Sequence, residues 1–246
     1  MTVAVFTAPA PLLIGDGLPS GGLAPPEAGA PPQIWLVRTA DHRVAPGSVG
    51  MLQPDEAARR ARFVYPGDRH RYTAAHLALR RLLGACLGRD PAAVVITREP
   101  CTVCGGPTGR PAVAAADLHF SLSHSGDLAL CAVGRTPVGV DIEAASPVGE
   151  DGDLRDLLHP RERQELLALA PLERRDAFLR CWTRKEAYLK GTGAGLAHGI
   201  DRHYVGTGPA PAVPESGWTV LDVEVDAGYR AAVAFSARAS RTPAHR

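Results

Sequence analysis

Val138-Gly139-Val140-Asp141-Ile142-Glu143 alternates strictly, apolar then small or acidic. In a strand, Val138, Val140 and Ile142 face one side while Asp141 and Glu143 face the other, their carboxylates ~7 Å apart along the chain. Like charges this close repel, and partial burial raises the cost. The same pattern fits a half-exposed strand with two solvated acids. What weighs against that is a second segment, Phe178-Leu179-Arg180-Cys181-Trp182-Thr183-Arg184-Lys185-Glu186-Ala187-Tyr188-Leu189-Lys190, which reads as a helix. Glu186 and Lys190 lie four apart and share a face. Phe178 and Leu189 can anchor the helix in a core. A third carboxylate beside Asp141 and Glu143 completes a hard-cation site. Oxygen ligands suit Mg²⁺, which keeps its waters and binds through few carboxylates plus substrate phosphates. Phosphate chemistry is therefore the expectation.

The cations agree. Of 27 Lys and Arg residues, only Lys185 and Lys190 are lysines. Arg stands wherever any cation serves. Lysine survives where a compact charge or a transferable proton is needed, so both lysines point to a site.

The 246 residues allow one large domain or two ordinary ones, and a hydrophobic content of 45% is globular. A net charge of +1 offers no polyanion footprint, so no nucleic-acid partner is expected. No apolar run reaches the length of a membrane span, and the start has no basic leader. The five cysteines are odd in number and do not form a disulfide framework. A reduced, cytoplasmic protein is expected.

Along the chain, residues 1–32 are rich in Pro, Gly and Ala without periodicity, and read as a disordered extension. Gln33 to Arg38 is the first strand. Pro54 opens a helix running through Arg62, with a basic stripe at Arg59, Arg60 and Arg62. Asp68 is expected to cap a second helix from Arg69 to Leu87, stopped by Gly88. Strands follow at 94–97, 118–124, 128–133 and 138–143. Helices follow at 160–169 and 172–189, then a loop over 191–199 and strands at 218–225 and 230–235. This order is not a clean alternation, which argues for an α+β fold. The expected division is an N-terminal half over 33–117, a C-terminal half over 118–236 and a flexible tail over 237–246.

The strand and helix quoted above together resemble the bipartite signature of the 4′-phosphopantetheinyl transferases. Phe120-Ser121-Leu122-Ser123-His124-Ser125 is similar to the family's Ser-His strand. Gly109-Arg110-Pro111 is similar to its Gly-Lys-Pro turn, with Arg for Lys, and Asp68-Arg69-His70-Arg71 to its basic helix start. The length resembles the monomeric surfactin-synthetase type. The resemblance implies two pseudo-symmetric α+β halves with coenzyme A, the co-substrate, between them. It implies Asp141, Glu143 and Glu186 as ligands of Mg²⁺ (with Mn²⁺ as a substitute), and Lys190 beside the departing phosphate. Asp141, Glu186 and Lys190 are the implied catalytic set, with Glu186 as ligand, base or both. Ser123, His124, Arg71, Arg59, Arg62, Arg110, Pro111 and Lys185 join Lys190 as implied coenzyme contacts, His124 and Arg71 at the 3′-phosphate. The implied partners are apo acyl or peptidyl carrier proteins of polyketide or nonribosomal peptide synthesis. The implied products are holo carrier protein and 3′,5′-ADP. Leu154, Arg155, Leu157 and Leu158 are the expected start of the carrier surface. A Mg²⁺-dependent hydrolase of coenzyme A and a non-catalytic binding module are the alternatives.

Cys101-Thr102-Val103-Cys104 has the spacing of a metal knuckle, but no second pair follows, so turn chemistry is expected. Gly191-Thr192-Gly193-Ala194-Gly195 follows a helix and lacks a third dinucleotide-loop glycine, so it reads as a flexible loop. His70 and His76 read as surface or satisfied core residues.

Overall fold

The computed structural model describes residues 11–14, 23–27, 29–145, 157–195, 199–212 and 217–236. The tail from 237 and residues 146–156, with Leu154 and Arg155, lie outside the described residues.

Four layers stack in the order helix, sheet, sheet, helix. The first sheet has the order β1 (Leu12–Ile14), β2 (Gln33–Arg38), β6 (Leu128–Gly134), β5 (His119–Ser125). The second has the order β7 (Val138–Ala144), β9 (Tyr229–Ser236), β8 (Trp218–Val223). Side chains of a strand alternate between faces, and β2 and β6 are apolar on both. Trp35, Val37, Ala129, Cys131 and Val133 pack outward with Leu79, Leu82 and Leu83 of helix α2 (Pro66–Leu87). Ile34, Leu36, Leu128, Leu130 and Ala132 pack inward on Val138, Val140, Ile142, Val233 and Phe235 of the second sheet. Beyond that sheet, Ala232 and Ala234 meet Ala187, Tyr188 and Leu189 of helix α4 (Pro171–Thr192). Each sheet is thus covered by one helix of 22 residues. The fold is α+β, in two such halves.

Helix α1 (Pro54–Ala61) precedes α2, and α3 (Pro160–Leu167) precedes α4. The hairpin β3 (Ile96–Arg98) and β4 (Pro111–Val113) carries the Cys101 loop and Arg110. No helix among the described residues is long and apolar enough to cross a membrane.

Four expectations are corrected. Residues 1–32 are not all without structure: β1 pairs in parallel with β2, Leu12 opposite Trp35, and Leu23 packs against the α2 core. The boundary at 117/118 falls inside the first sheet, because β2 pairs antiparallel with β6, Trp35 opposite Cys131. Non-local pairing of this kind leaves no local mark. Helix α2 starts at Pro66 with Tyr65 as its cap. Proline suits the first helical position, so Asp68 lies in the first turn. Helix α4 runs through Thr192, making Gly191 helical, and Gly193 with φ +76° closes it.

Candidate active site

Gly139 and Gly191 set the site's geometry. A Cβ on Gly139 would lie 2.0 Å from the Ala187 carbonyl oxygen and 2.4 Å from the Gly191 amide nitrogen. A Cβ on Gly191 would lie 2.6 Å from the Trp218 ring. Strand β7 and helix α4 therefore cross backbone on backbone. That contact brings Asp141 and Glu143 of the strand beside Glu186 and Lys190 of the helix.

Strand β5 runs along β7 and joins it through three serines spaced by two. Ser121 Oγ accepts from the Val140 amide at 3.1 Å. Ser123 Oγ donates to Asp141 Oδ1 at 2.7 Å. Ser125 Oγ donates to Glu143 Oε2 at 2.9 Å and accepts from the Ala144 amide at 3.0 Å. Lys190 Nζ donates to Asp141 Oδ1 at 2.6 Å and to Ser123 Oγ at 3.0 Å. Asp141 is buried, and its second oxygen, Oδ2, has no hydrogen-bond partner.

The carboxylates repel one another. Burial, then Asp141, then Glu143 push Glu186 up to about 7 against the pull of Lys190. Burial and then Asp141 raise Glu143. Burial raises Asp141 although Lys190 and Ser123 oppose it. Among the described residues no three His, Cys, Asp or Glu side chains already form a metal cage. Asp141 and Glu143 are turned instead toward Lys190 and the serines.

These groups floor a cleft of about 660 Å³ between the halves. Of the residues expected there, Arg59, Arg110, Pro111, Ser123, His124, Asp141, Glu143, Glu186 and Lys190 line it. Arg59 lies over the Tyr72 ring, 5.9 Å from its centre. Arg110 donates to the Gly191 carbonyl at 2.9 Å and pairs with Glu99 at 2.6 Å. Gly109 before it has no room for a side chain, since a Cβ would lie 2.2 Å from the Glu99 carbonyl oxygen.

Three expected contacts are not brought to the cleft. Arg71 points away, pairing with Asp127 at 2.7 Å and Asp68 at 3.0 Å. Arg62 is exposed at the end of α1 and does not line the cleft. Lys185 is 1% exposed and pairs at 2.7 Å with fully buried Glu162, while donating to the carbonyls of Ile200 and His203. It faces about 100° away from Glu186, and its role here is structural. Leu158, expected on the carrier surface, is a core residue, whereas Leu157 is exposed.

One wall was not anticipated. Tyr72 lies tilted against His76 with ring centres 4.1 Å apart and meets His124 edge-on at 6.4 Å. His76 Nδ1 pairs with Glu56 at 2.9 Å, and Glu56 also holds buried Arg80 at 2.7 Å. Tyr72 and His76, four apart on α2, give the only advance signal, a shared helix face. His70 is satisfied by the Thr39 carbonyl at 3.0 Å.

Two halves of sheet and helix, with an acidic cluster and one lysine facing arginine and histidine across a cleft, define an α+β protein with a charged cleft between its halves. The model of the 4′-phosphopantetheinyl transferase superfamily matches residues 137–216, which hold β7, α3 and α4. The 4′-phosphopantetheinyl transferase HetI of Nostoc sp. is 38% identical over 189 residues, 75% of this chain and 78% of the relative. The 4′-phosphopantetheinyl transferase Sfp of Bacillus subtilis is 27% identical over 207 residues, 81% and 89% of the two chains. The 4′-phosphopantetheinyl transferase gsp of Aneurinibacillus migulanus is 29% identical over 170 residues, 65% and 70%. The chain belongs to the 4′-phosphopantetheinyl transferase superfamily, in its two-half, Sfp-like branch.

Proposed function

We propose that this enzyme moves the 4′-phosphopantetheine group of coenzyme A onto a serine of apo acyl or peptidyl carrier proteins, with Mg²⁺, releasing 3′,5′-ADP. The observation that carries this reading is buried Asp141. One of its oxygens is held by Lys190 and Ser123, and the other has no partner.

A buried, partnerless carboxylate oxygen is costly. Beside Glu143 and Glu186 it supplies a hard oxygen donor set, which fits Mg²⁺. Asp141, Glu143 and Glu186 would hold that ion, with Ser125 keeping Glu143 in place. When bound, Mg²⁺ contributes charge at the pyrophosphate and stabilises the departing oxygen.

The remaining work falls to the protein. Arg59, His124 and Arg110 line the cleft that would take the nucleotide end of coenzyme A. Glu186 orients the carrier serine and accepts its proton. A carboxylate within reach of the serine hydroxyl can take that proton directly or through one water. The serine oxygen bonds to the β-phosphorus as the bridging P–O bond breaks. Lys190 offers charge or a proton to the leaving oxygen. Positioning and charge neutralisation dominate such transfers.

The test is one incubation with coenzyme A, Mg²⁺ and a panel of apo carriers, read by intact mass and nucleotide release. The expected result is carriers heavier by one phosphopantetheine and an equal amount of 3′,5′-ADP. Nucleotide release without carrier would replace this reading with hydrolysis, and binding without release would replace it with a non-catalytic module. Asp141→Asn and Glu186→Gln should each lower kcat/KM by about a hundredfold or more with the fold intact. Full activity in either variant overturns the three-carboxylate assignment.

A further inference from the structure

The Cys101–Cys104 loop is a sequence motif that the transfer reaction leaves unused. It forms a tight knuckle. The Cys101 amide donates to the Gly106 carbonyl at 2.7 Å, and the Gly105 amide donates to the Cys101 carbonyl at 2.9 Å. Cys101 is buried, whereas Cys104 is exposed. Gly105 takes φ +70°, and a Cβ on Gly106 would lie 3.4 Å from Cys104 Sγ.

The knuckle is seated on the end of α4. Cys101 Sγ donates to the Ala194 carbonyl at 3.7 Å, and Thr102 Oγ1 donates to the Thr192 carbonyl at 3.2 Å. Gly193 and Gly195 of that segment line the cleft, just beyond Lys190.

A tetrahedral metal site needs four ligands. Among the described residues no third His, Cys, Asp or Glu joins these two sulfurs. Two adjacent thiols, one exposed and one buried, suit a different chemistry.

We propose that Cys101 and Cys104 are a thiol–disulfide pair that reacts with low-molecular-weight disulfides and, on closing, releases the 193–195 wall of the cleft. The accessible Cys104 thiolate attacks one sulfur of the external disulfide. A Cys104–S–S–R bond forms, the original S–S bond breaks, and the first thiolate leaves and takes up a proton. The Cys101 thiolate then attacks the Cys104 sulfur, and the second thiolate leaves and is protonated. The protein gives up two electrons and two protons, and the external disulfide becomes two thiols. The Cys104 and Val103 amides hold the Cys101 thiol below its usual range, which favours this second step. The closed pair has no S–H to donate to Ala194.

The other thiols stand aside. Burial pushes Cys86 up to about 11 and Cys131 up to about 12, and it raises Cys181 further. All three are buried.

The experiment treats reduced full-length protein with glutathione disulfide and reads intact mass, a non-reducing peptide map and the KM for coenzyme A. Wild type should lose two hydrogens and yield a Cys101–Cys104 cross-link. Cys101→Ser should retain glutathione on Cys104. Exposed Cys104→Ser should take up nothing and keep wild-type activity. On oxidation the KM should rise about two- to fivefold, the scale of one weak hydrogen bond, and dithiothreitol should reverse it. A wild-type protein that keeps its full mass, or that holds a stable glutathione adduct, overturns the pairing. An unchanged KM in cross-linked protein overturns the coupling to the cleft. Only the KM arm rests on the proposed transfer; absence of transfer would sink that reading, while the mass arm decides the pair by itself.

Discussion

Lys185 and Lys190 carry the same charge five residues apart and do different things. Lys190 Nζ is part-exposed and touches Asp141 and Ser123 at the cleft floor. Lys185 is sealed against Glu162 and two carbonyls, three acceptors for the three protons of an ammonium. Arg184 beside it uses a fork instead, gripping Asp222 at 2.7 and 2.6 Å. Of the two scarce lysines, one lies at the cleft floor and the other in a buried ion pair. Nothing local distinguishes the two, because the partners of Lys185 come from α3 and from residues 200–203. Lys190→Arg should lower kcat/KM by about tenfold or more at unchanged Tm, since a guanidinium is bulkier and keeps its proton. Lys185→Met should do the reverse. It strands a buried Glu162, at a cost of about 3–5 kcal/mol, and should lower Tm by on the order of 10 °C with little change in kcat. Matching kinetics and melting for the two variants would refute this division. Glu56 offers a pH test. Burial pushes its carboxyl up, but hydrogen bonds from His76, Gln53 and Arg80 outweigh that and leave it below the ordinary 4.5. A carboxylate depressed by folding stabilises above its unfolded pKa, and that stabilisation is lost as pH falls through the folded value. The Tm gap between wild type and Glu56→Gln should therefore be full at pH 7 and shrink below about pH 4.5. A gap constant from pH 7 to 3 would mean that the Glu56 charge is not what matters.

At the scale of elements, the crossing of β7 on α4 matters most, and it depends on two glycines. Gly139→Ala places a methyl against backbone atoms that no rotamer change can move aside. The strand must lift, at a cost of about 1–3 kcal/mol or more, and Asp141 and Glu143 must shift relative to Glu186. Displacements near 1 Å can cost about a hundredfold in rate. Gly139→Ala should thus lose stability and kcat together. Gly50→Ala, where a Cβ meets nothing within 4 Å, should lose neither. Retained kcat in Gly139→Ala would show that the carboxylates tolerate a wider spacing. Both elements were legible in the sequence, because Val138, Val140 and Ile142 keep a period of two, and Phe178 and Leu189 mark the helix. The acid-bearing floor was legible for the same reason. The opposite wall was not. Whether Arg71 turns to the cleft or to Asp127, and whether His76 is idle or seated on Glu56, depends on which face of α2 meets β5. A helix with mixed faces does not announce that. The three serines of β5 were visible as an alternation, yet their hydrogen-bond partners lie on a strand of another sheet.

At the scale of the molecule, the first sheet is wedged between α2 and the second sheet, so its strands β2 and β6 are apolar on both faces. Its outer edge beside β2 then needs cover, because an open strand edge invites pairing with another chain. The Pro- and Gly-rich N-terminus, which reads as dispensable, supplies that cover. Leu12–Ile14 pairs with Trp35–Val37. The Leu23 amide donates to the Ala85 carbonyl at 3.3 Å, and Gln33 and Arg135 donate to the carbonyls of Ala24 and Pro26. None of these residues lines the cleft. Removing residues 1–30 should therefore cost stability without touching chemistry. Several hydrogen bonds at about 0.5–1.5 kcal/mol each sum to roughly 2–4 kcal/mol, or about 5–10 °C in Tm for a chain of this size. The newly open β2 edge should also promote association, visible by light scattering as the concentration rises, while kcat per folded molecule stays constant. Deletion with no change in Tm or scattering would return the segment to the role its composition suggests. A fall in kcat at constant Tm would instead mean that the N-terminus reaches the cleft when substrate is bound.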